Sequence, residues 1–189
     1  MTLRPRPRII SIEGNIGAGK TTFLNILATL HLDDPGILIL REPVDQWSRV
    51  ADTHGTVLEH LYRDPGRHAF AFQVLVLHTM KTRLKEAMRG GYHTIIMERS
   101  VGASRHVFGR MLHAQGNMTD IEHQIYEQMC DDKELRWLIP DEVMYLDVPV
   151  EECLTRVRAR GRPGEEPIDA AYLKACERFY REWLWPIRG

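Results

Sequence analysis

The sequence predicts an α/β domain of the P-loop type, in which a parallel sheet carries helices on both of its faces. Four short apolar runs alternate with longer segments of helical periodicity, which is typical of β-α-β units. The first run is followed by GNIGAGKT at residues 14–21, which satisfies the phosphate-loop pattern G-x-x-x-x-G-K-[ST] and opens a helical segment. A chain of 189 residues can bury one compact core, so we expect a single domain over residues 1–189.

The predicted strands are apolar without polar alternation, as expected of strands that are buried on both faces. They lie at residues 8–13, 37–40, 93–99 and 143–148. Because a helical segment separates each strand from the next, the strands are expected to be parallel. Polar groups that directly follow the strands should then meet at one edge of the sheet, where ligands bind in such folds.

Helical periodicity predicts seven helices, with turn-forming residues between them. The helices are expected at about residues 20–31, 53–63, 66–89, 102–114, 119–137, 150–161 and 168–184. The N-terminus is basic, with Arg and Pro alternating over residues 4–8, and the apolar run behind it is too short for a secretory signal. We expect residues 1–7 to be flexible, although a fragment of an organelle-targeting segment stays open.

Composition and charge limit the partners of this chain. The formal charge is −1, so no overall electrostatic field recruits nucleic acid. No apolar run approaches the roughly 18 residues of a membrane-spanning helix, so we expect neither a membrane nor a nucleic acid as partner. The three cysteines are widely spaced and odd in number, which favours a reducing compartment and hence a cytoplasmic location.

The phosphate loop predicts a bound nucleoside triphosphate. Its glycines allow the backbone to wrap a phosphate, and the N–H groups at the start of the following helix favour an anion. Lys20 can reach the β- and γ-phosphates, and the Thr21 hydroxyl can coordinate Mg²⁺. The residues expected to bind the nucleotide here are Gly14, Asn15, Ile16, Gly17, Ala18, Gly19, Lys20, Thr21 and Thr22.

Two carboxylates follow predicted strands and are candidates for a general base. Glu42 comes directly after the second strand and is followed by Pro43, which restricts its backbone to extended geometry. Glu98 and Arg99 end the third strand, where an adjacent acid and base can also be a simple salt bridge. The residues alone leave open whether either carboxylate is the base or a solvated acid.

Five segments in order resemble the deoxyribonucleoside kinases, which include deoxycytidine, deoxyguanosine and mitochondrial thymidine kinases. The segments are IEGNIGAGKTT, REPVDQW, LEHLYRDP, FAFQVLVLH and MERSVGASRHVF, and the similarity covers roughly residues 8–184. A further segment, RGRPGEEPIDAAYL, resembles the lid of herpesvirus thymidine kinases, which leaves a viral origin and a host-cytoplasmic location open.

The resemblance implies a P-loop kinase fold of three layers that phosphorylates the 5′-hydroxyl of a deoxyribonucleoside in nucleotide salvage. It implies ATP and Mg²⁺ as cofactors. It also implies a homodimer formed through the helices at about residues 66–89 and 119–137.

The resemblance also implies roles for the strand-end residues. The glutamate of the E-P motif, which takes the proton from the 5′-hydroxyl, corresponds to Glu42. In the E-R-S motif, the glutamate near the metal corresponds to Glu98, and Arg99 matches the arginine that holds the base carboxylate and the 5′ oxygen or incoming phosphate. The predicted catalytic residues are thus Glu42, Glu98, Arg99 and Lys20, and the predicted metal ligands are Thr21 and Glu98.

The nucleoside site follows from further matches to the same family. Tyr62 matches the tyrosine that hydrogen-bonds the sugar 3′-hydroxyl, and Gln73 matches the glutamine whose amide pairs with the base edge. Phe108 matches the ring that stacks on the base, and Phe72 matches an aromatic wall. The substrate-binding residues expected from these matches and from nearness to Glu42 are Glu42, Trp47, Tyr62, Phe72, Gln73, Val76, Met80, Arg99, Ser104, Phe108 and Glu165.

An arginine-rich segment at about residues 156–167 is predicted to close over the triphosphate, and we call it the lid. Arg156 and Arg160 share a helix face and Arg162 ends the helix, and arginine forks suit phosphate oxygens. The alternatives are a solvated basic face and a patch that binds nucleic acid. Acidic residues directly follow the arginines in sequence, which argues against the nucleic-acid patch. An ungapped match makes Glu165 the lid acid that contacts the sugar, with Glu166 as the fallback.

Base preference is predicted from Val76, Met80 and Ser104. Deoxycytidine and deoxyguanosine kinases carry Arg and Asp at the last two of these positions, and the thymidine-accepting members typically carry Met and Ala. This chain carries neither Arg nor Asp at these positions, and Ser104 departs from both types. Because the charged pair is missing, we expect a pyrimidine, thymidine and/or deoxycytidine, over purines.

Two other functions remain as alternatives from the sequence. Thymidylate kinase shares a similar phosphate loop and an REP segment, but it continues with glycines and uses an Asp-Arg pair in place of Glu98 and Arg99. A P-loop module that binds nucleotide without transfer is the second alternative.

Overall fold

The computed structural model describes residues 6–30 and 34–185. Residues 1–5, most of the predicted flexible N-terminus, lie outside this range. The strands are β1 (Arg8–Gly14), β2 (Ile37–Leu40), β3 (Ala51–Asp52), β4 (Gly55–Thr56), β5 (Thr94–Glu98) and β6 (Glu142–Leu146). The α-helices are α1 (Lys20–Leu30), α2 (Val44–Trp47), α3 (Val57–Arg63), α4 (Pro65–Arg89), α5 (Val101–Ala103), α6 (Arg110–Ala114), α7 (Asp120–Cys130), α8 (Val150–Arg160) and α9 (Ala170–Leu184).

A four-stranded parallel sheet in the order β2-β5-β1-β6 forms the centre of the fold. In its register, Ile12 of β1 lies opposite Glu98 of β5 and Met144 of β6. The carboxyl ends of β1, β2 and β5 therefore lie side by side, and the residues that follow them converge.

The two faces of the sheet are covered by different helices. Ile12 and Ile96 pack with Leu24 of α1 on one face. On the other face, Ile9 and Ile95 pack with the apolar side of α4. Successive residues of one strand thus serve opposite layers, as a pleated strand requires. This arrangement confirms the predicted α/β class, with helices on both faces of a parallel sheet.

Three predicted helices differ from the structure in their bounds. The helix expected at 53–63 begins only at Val57, because residues 51–56 form the β3-β4 hairpin and Thr56 then caps α3 in a capping box with Glu59. The helix expected at 119–137 ends at Cys130, and a 3₁₀ helix follows at Lys133–Leu138. The helix expected at 102–114 contains a π-helical segment, Ser104–Gly109, between α5 and α6.

The helix α4 spans 25 residues and buries one side against the sheet. Its other side carries charged residues, which suits a helix on the surface of a globular domain. Within residues 6–30 and 34–185, no helix combines the length and the apolar character needed to cross a bilayer.

Candidate active site

A cavity of about 580 Å³ opens at the carboxyl ends of the central strands. It is bounded by the β1-α1 loop, the β2-α2 loop, α3, α4, the β5-α5 turn and the lid. Of the residues predicted for the site, those that line this cavity are Ile16, Gly17, Gly19, Lys20, Thr21, Thr22, Glu42, Trp47, Tyr62, Phe72, Gln73, Val76, Met80, Glu98, Arg99, Ser104, Phe108, Arg156, Arg160, Arg162 and Glu165.

Three predicted nucleotide-binding residues, Gly14, Asn15 and Ala18, do not line the cavity. The Asn15 amide donates to the Leu173 carbonyl at 2.8 Å, and its side-chain oxygen accepts from the Ile16 N–H at 2.9 Å. Asn15 therefore anchors the loop to α9 instead of facing a ligand. Gly14 lies against the Leu146 carbonyl of β6, and Ala18 is buried in an apolar cluster with Val150 and Cys153 of α8.

The phosphate loop has the geometry that its sequence predicts. At Gly17, φ is +81° and an added Cβ would lie 2.3 Å from the Cys153 carbonyl of α8, so that only glycine fits. The Lys20 ammonium donates to the carbonyls of Gly14 (3.0 Å) and Asn15 (2.7 Å). Burial, together with the nearby Arg99 cation, lowers the pKa of Lys20 to about 7. In the complex with a nucleoside triphosphate, the phosphates would supply an anionic partner for the Lys20 ammonium group.

Thr21 and Glu98 lie together although 77 residues separate them. The Thr21 hydroxyl donates to a Glu98 carboxylate oxygen at 2.8 Å. Hydroxyl and carboxylate oxygens are the protein ligands that Mg²⁺ accepts, with water and phosphate completing its shell. The two residues therefore fit the metal site that the sequence predicts.

Arg99 and Glu42 form an ion pair in the wall of the cavity. One terminal nitrogen of Arg99 donates to both Glu42 oxygens, at 2.8 and 2.7 Å. Arg99 has φ +58°, the one positive value for a non-glycine residue in the described part of the chain. Its Nε and Nη2 atoms are buried and have no hydrogen-bond partner there. Strain and unsatisfied donors at one residue are characteristic of a binding site.

Glu13 lies behind this turn and was not among the residues predicted for the site. It is fully buried and accepts from the Ser100 N–H (2.9 Å), the Ser100 hydroxyl (2.7 Å) and the Tyr180 hydroxyl (3.2 Å). Burial raises its pKa. Because Ser100 directly follows Arg99, Glu13 holds the turn that aims Arg99 at Glu42. A carboxylate inside an apolar strand is the signal that could have identified it.

The apolar end of the cavity contains an uncharged polar group. Phe72, Val76 and Met80 of α4 are buried there, and Trp47 packs edge-on against Phe72 with ring centroids 5.4 Å apart. The Gln73 amide oxygen accepts from the Ser104 hydroxyl at 2.8 Å. An amide surrounded by apolar and aromatic walls is suited to a flat heterocycle with donor and acceptor atoms on its edge.

The lid is folded onto this cavity. Glu165 is buried and accepts from Arg160 at 2.7 Å and from Arg162 at 3.1 Å. Arg156 donates to the Ala18 carbonyl at 3.3 Å. Gly164 packs so closely against α3 that an added Cβ would lie 3.0 Å from the Glu59 Cα atom. Arg156 thus stands beside the phosphate loop, and Glu165 partly neutralises Arg160 and Arg162.

Nearly the whole chain is similar to one known protein family. The family model for deoxynucleoside kinases matches residues 10–188. The chain belongs to the deoxynucleoside kinase family. It is therefore a kinase, and the family implies phosphorylation of a nucleoside with ATP as phosphate donor.

Individual relatives of this deoxynucleoside kinase include viral and animal enzymes. A probable deoxycytidine kinase of fowlpox virus is 32% identical over 181 residues, which cover 93% of this chain and 71% of the relative. Human deoxycytidine kinase is 32% identical in an alignment that covers 95% of this chain and 76% of the relative. Human mitochondrial thymidine kinase 2 is 28% identical in an alignment that covers 98% of this chain and 67% of the relative.

The kinase has further cavity residues that sequence reasoning did not assign to the site. They are Arg41, Val44, Asp45, Leu58, Leu61, Ser100, Leu112 and Tyr172. Arg41 and Asp45 flank Glu42 at a strand end, so their position was a usable signal. The apolar residues carried no such signal, because apolar side chains that line a cavity and those that fill a core follow the same pattern in a sequence.

Proposed function

We propose that this deoxynucleoside kinase transfers the γ-phosphoryl group of ATP to the 5′-hydroxyl of a pyrimidine deoxynucleoside, thymidine or deoxycytidine. The observation that carries the proposal is the uncharged surrounding of Gln73, which contacts Ser104 and lies among Val76 and Met80. These side chains lack the charged Arg and Asp that the resemblance gives to deoxycytidine and deoxyguanosine kinases, so the pocket is more similar to that of the thymidine-accepting members. The names of the relatives, deoxycytidine kinases and a mitochondrial thymidine kinase, support a pyrimidine acceptor.

In the proposed mechanism, Glu42 accepts the proton of the 5′-hydroxyl as that oxygen attacks the γ-phosphorus. Arg99 holds Glu42 through one terminal nitrogen, and its cation stands beside the reacting oxygens. Lys20 and the lid arginines Arg156, Arg160 and Arg162 stabilise the negative charge on the transferred group. Tyr62 and Glu165 hold the sugar.

The metal site of this proposal consists of Thr21 and Glu98, whose side-chain oxygens lie 2.8 Å apart. Mg²⁺, when bound, would neutralise charge on the β- and γ-phosphates. When Mg²⁺ is bound, the Glu98 carboxylate would coordinate it in place of the hydrogen bond that it accepts from Thr21 in this structure.

We also propose that the functional unit is a homodimer built on α7. Ile121, Ile125 and Met129 follow one another at helical spacing and are 71%, 43% and 37% exposed. A stripe of this kind is typical of a surface that a second copy covers.

The three cysteines are free and buried, which supports the expected reducing cytoplasmic compartment.

The experiment that tests the proposed activity is a panel of acceptors with ATP and Mg²⁺. Transfer from γ-labelled ATP is measured for the four natural deoxynucleosides and for thymidylate. We expect the highest kcat/KM for thymidine or deoxycytidine. A higher value for deoxyguanosine would refute the pyrimidine preference, and a higher value for thymidylate would indicate a nucleoside monophosphate kinase.

A further inference from the structure

Tyr126 of α7 ends a chain of hydrogen bonds that leads into the proposed base site. The ring is fully buried, and its hydroxyl lies 2.7 Å from the Ser104 hydroxyl. Ser104 in turn donates to the Gln73 amide oxygen at 2.8 Å. Tyr126 does not line the cavity and has no part in the mechanism described above.

The local helix geometry is built around this tyrosine. Ser104 begins the π-helical segment that Gly109 ends, and an added Cβ at Gly109 would lie 2.8 Å from the Tyr126 ring. A glycine here therefore admits the ring against the helix backbone, and the hydroxyl reaches Ser104. Burial raises the pKa of Tyr126 well above its ordinary value, so the hydroxyl keeps its proton.

Because a hydroxyl group can both donate and accept, this series of hydrogen bonds can run in either direction. In the observed arrangement, Tyr126 donates to Ser104 and Ser104 donates to the Gln73 oxygen. If the amide turns over, its NH₂ group donates to the Ser104 oxygen and Ser104 donates to the Tyr126 oxygen. Both arrangements leave the Gln73 and Ser104 partners satisfied, whereas a charged Arg and Asp pair would hold the amide one way.

The two pyrimidine bases require opposite amide orientations. Cytosine presents an acceptor at N3 and a donor at N4, and thymine presents a donor at N3 and an acceptor at O4. An amide that pairs with both atoms must therefore turn over between the two bases.

We propose that Tyr126 is a specificity-determining residue. The reversible chain Tyr126–Ser104–Gln73 lets one pocket accept both deoxycytidine and thymidine. This inference rests on the proposed pyrimidine kinase function and goes beyond it, because it assigns dual acceptance to a residue outside the cavity.

The decisive variant is Tyr126→Phe. Without the phenolic oxygen, Ser104 has no acceptor at position 126, so the amide orientation that depends on this acceptor loses a buried hydrogen bond. The other orientation keeps the bond from Ser104 to Gln73. We expect wild-type kcat/KM values for the two pyrimidines within about tenfold of each other. In the variant, one value falls about tenfold or more while the other stays within about twofold.

Two matched variants accompany this measurement. Tyr145→Phe removes the hydroxyl of a partly buried tyrosine that packs on Tyr180 and Trp185 outside the cavity, and both values should stay at wild-type level. Ser104→Ala removes the middle of the chain and should also change the ratio of the two values. Calorimetric melting of each variant separates loss of fold from change of preference.

The outcomes separate the inference from the proposed function. Equal losses for both pyrimidines in Tyr126→Phe, or a wild-type preference above about a hundredfold for one of them, would overturn the inference and leave the kinase function intact. A wild-type enzyme that phosphorylates neither pyrimidine would overturn both. A change of ratio in Tyr126→Phe with an unchanged ratio in Tyr145→Phe supports the inference.

Discussion

Arg99 and Glu42 are 57 residues apart in sequence, and one nitrogen of Arg99 lies within 2.8 Å of both Glu42 oxygens. The pair holds the proposed base at the bottom of the cavity while two Arg99 donor atoms stay unpaired. Charge-assisted hydrogen bonds of this kind fix the direction of a carboxylate more firmly than neutral ones. The ion pair therefore positions the proposed base before the substrates arrive.

Glu42→Gln should abolish catalysis and preserve nucleotide binding. The amide keeps the shape of the side chain but cannot accept the 5′-hydroxyl proton, so we expect kcat to fall about 10²- to 10⁴-fold. Radiolabel transfer measures kcat, and titration calorimetry measures ATP affinity. Asp45→Asn changes another carboxylate of the same cavity and should keep turnover near wild type. Wild-type turnover in Glu42→Gln would move the base role to Glu98.

Nucleotide binding should take up a proton at alkaline pH. The pKa of Lys20 is about 7 in the empty site, so at pH 8.5 most of this side chain is neutral. The triphosphate favours the charged form and raises this pKa, so binding at pH 8.5 draws a proton from the buffer, and binding at pH 6 draws little. Calorimetry in two buffers of different ionisation enthalpy measures the uptake.

Lys20→Arg is the control for this proton uptake, because a guanidinium stays charged at both pH values. We expect no uptake by this variant at pH 8.5. If the wild type and Lys20→Arg took up equal numbers of protons at pH 8.5, the uptake would not belong to Lys20.

Gly164→Ala should displace the lid. Gly164 has φ +86°, and an added Cβ would lie 2.6 Å from the Glu59 Cγ atom and 3.0 Å from its Cα atom, so the loop must move away from α3. We expect kcat/KM for ATP to fall about tenfold or more, because small displacements of charge-stabilising groups are costly. Steady-state kinetics with varied ATP measures this loss.

Gly116→Ala is the matched control for the lid variant. Gly116 has φ +74° with nothing within 4 Å of an added Cβ, so it tests backbone strain alone. It should lower stability by about 1–2 kcal/mol without loss of kcat/KM. Equal kinetic losses in both glycine variants would argue against a lid contact at Gly164.

Ile125→Glu should dissociate the proposed dimer. A charge in the middle of the apolar stripe on α7 would be desolvated at the interface, which is costly. Light scattering should give a dimer for the wild type and a monomer for the variant. Ile26→Glu places the same charge on an exposed residue of α1 and should remain a dimer. A wild-type monomer at all concentrations would refute the proposed interface.

Local spacing in the sequence was enough to predict the fold class, the phosphate loop and the strand-end positions of Glu42, Glu98 and Arg99. These features depend on neighbours within a few residues, namely periodicity, glycines that permit positive φ, and polar groups that end apolar runs. The fold class and the family are confirmed. The roles of individual site residues remain predictions that the variants above test.

Only the tertiary structure decided which of these residues meet, and in what surroundings. The β3-β4 hairpin replaced the first turn of a predicted helix, because Thr56 caps α3 only after the chain has reversed. Glu13 with Ser100 and Tyr126 with Ser104 are joined across 87 and 22 residues, and Lys20 owes its lowered pKa to burial beside Arg99. Contacts of this range arise when helices pack on the sheet, and burial converts them into strong electrostatic interactions that no local pattern encodes.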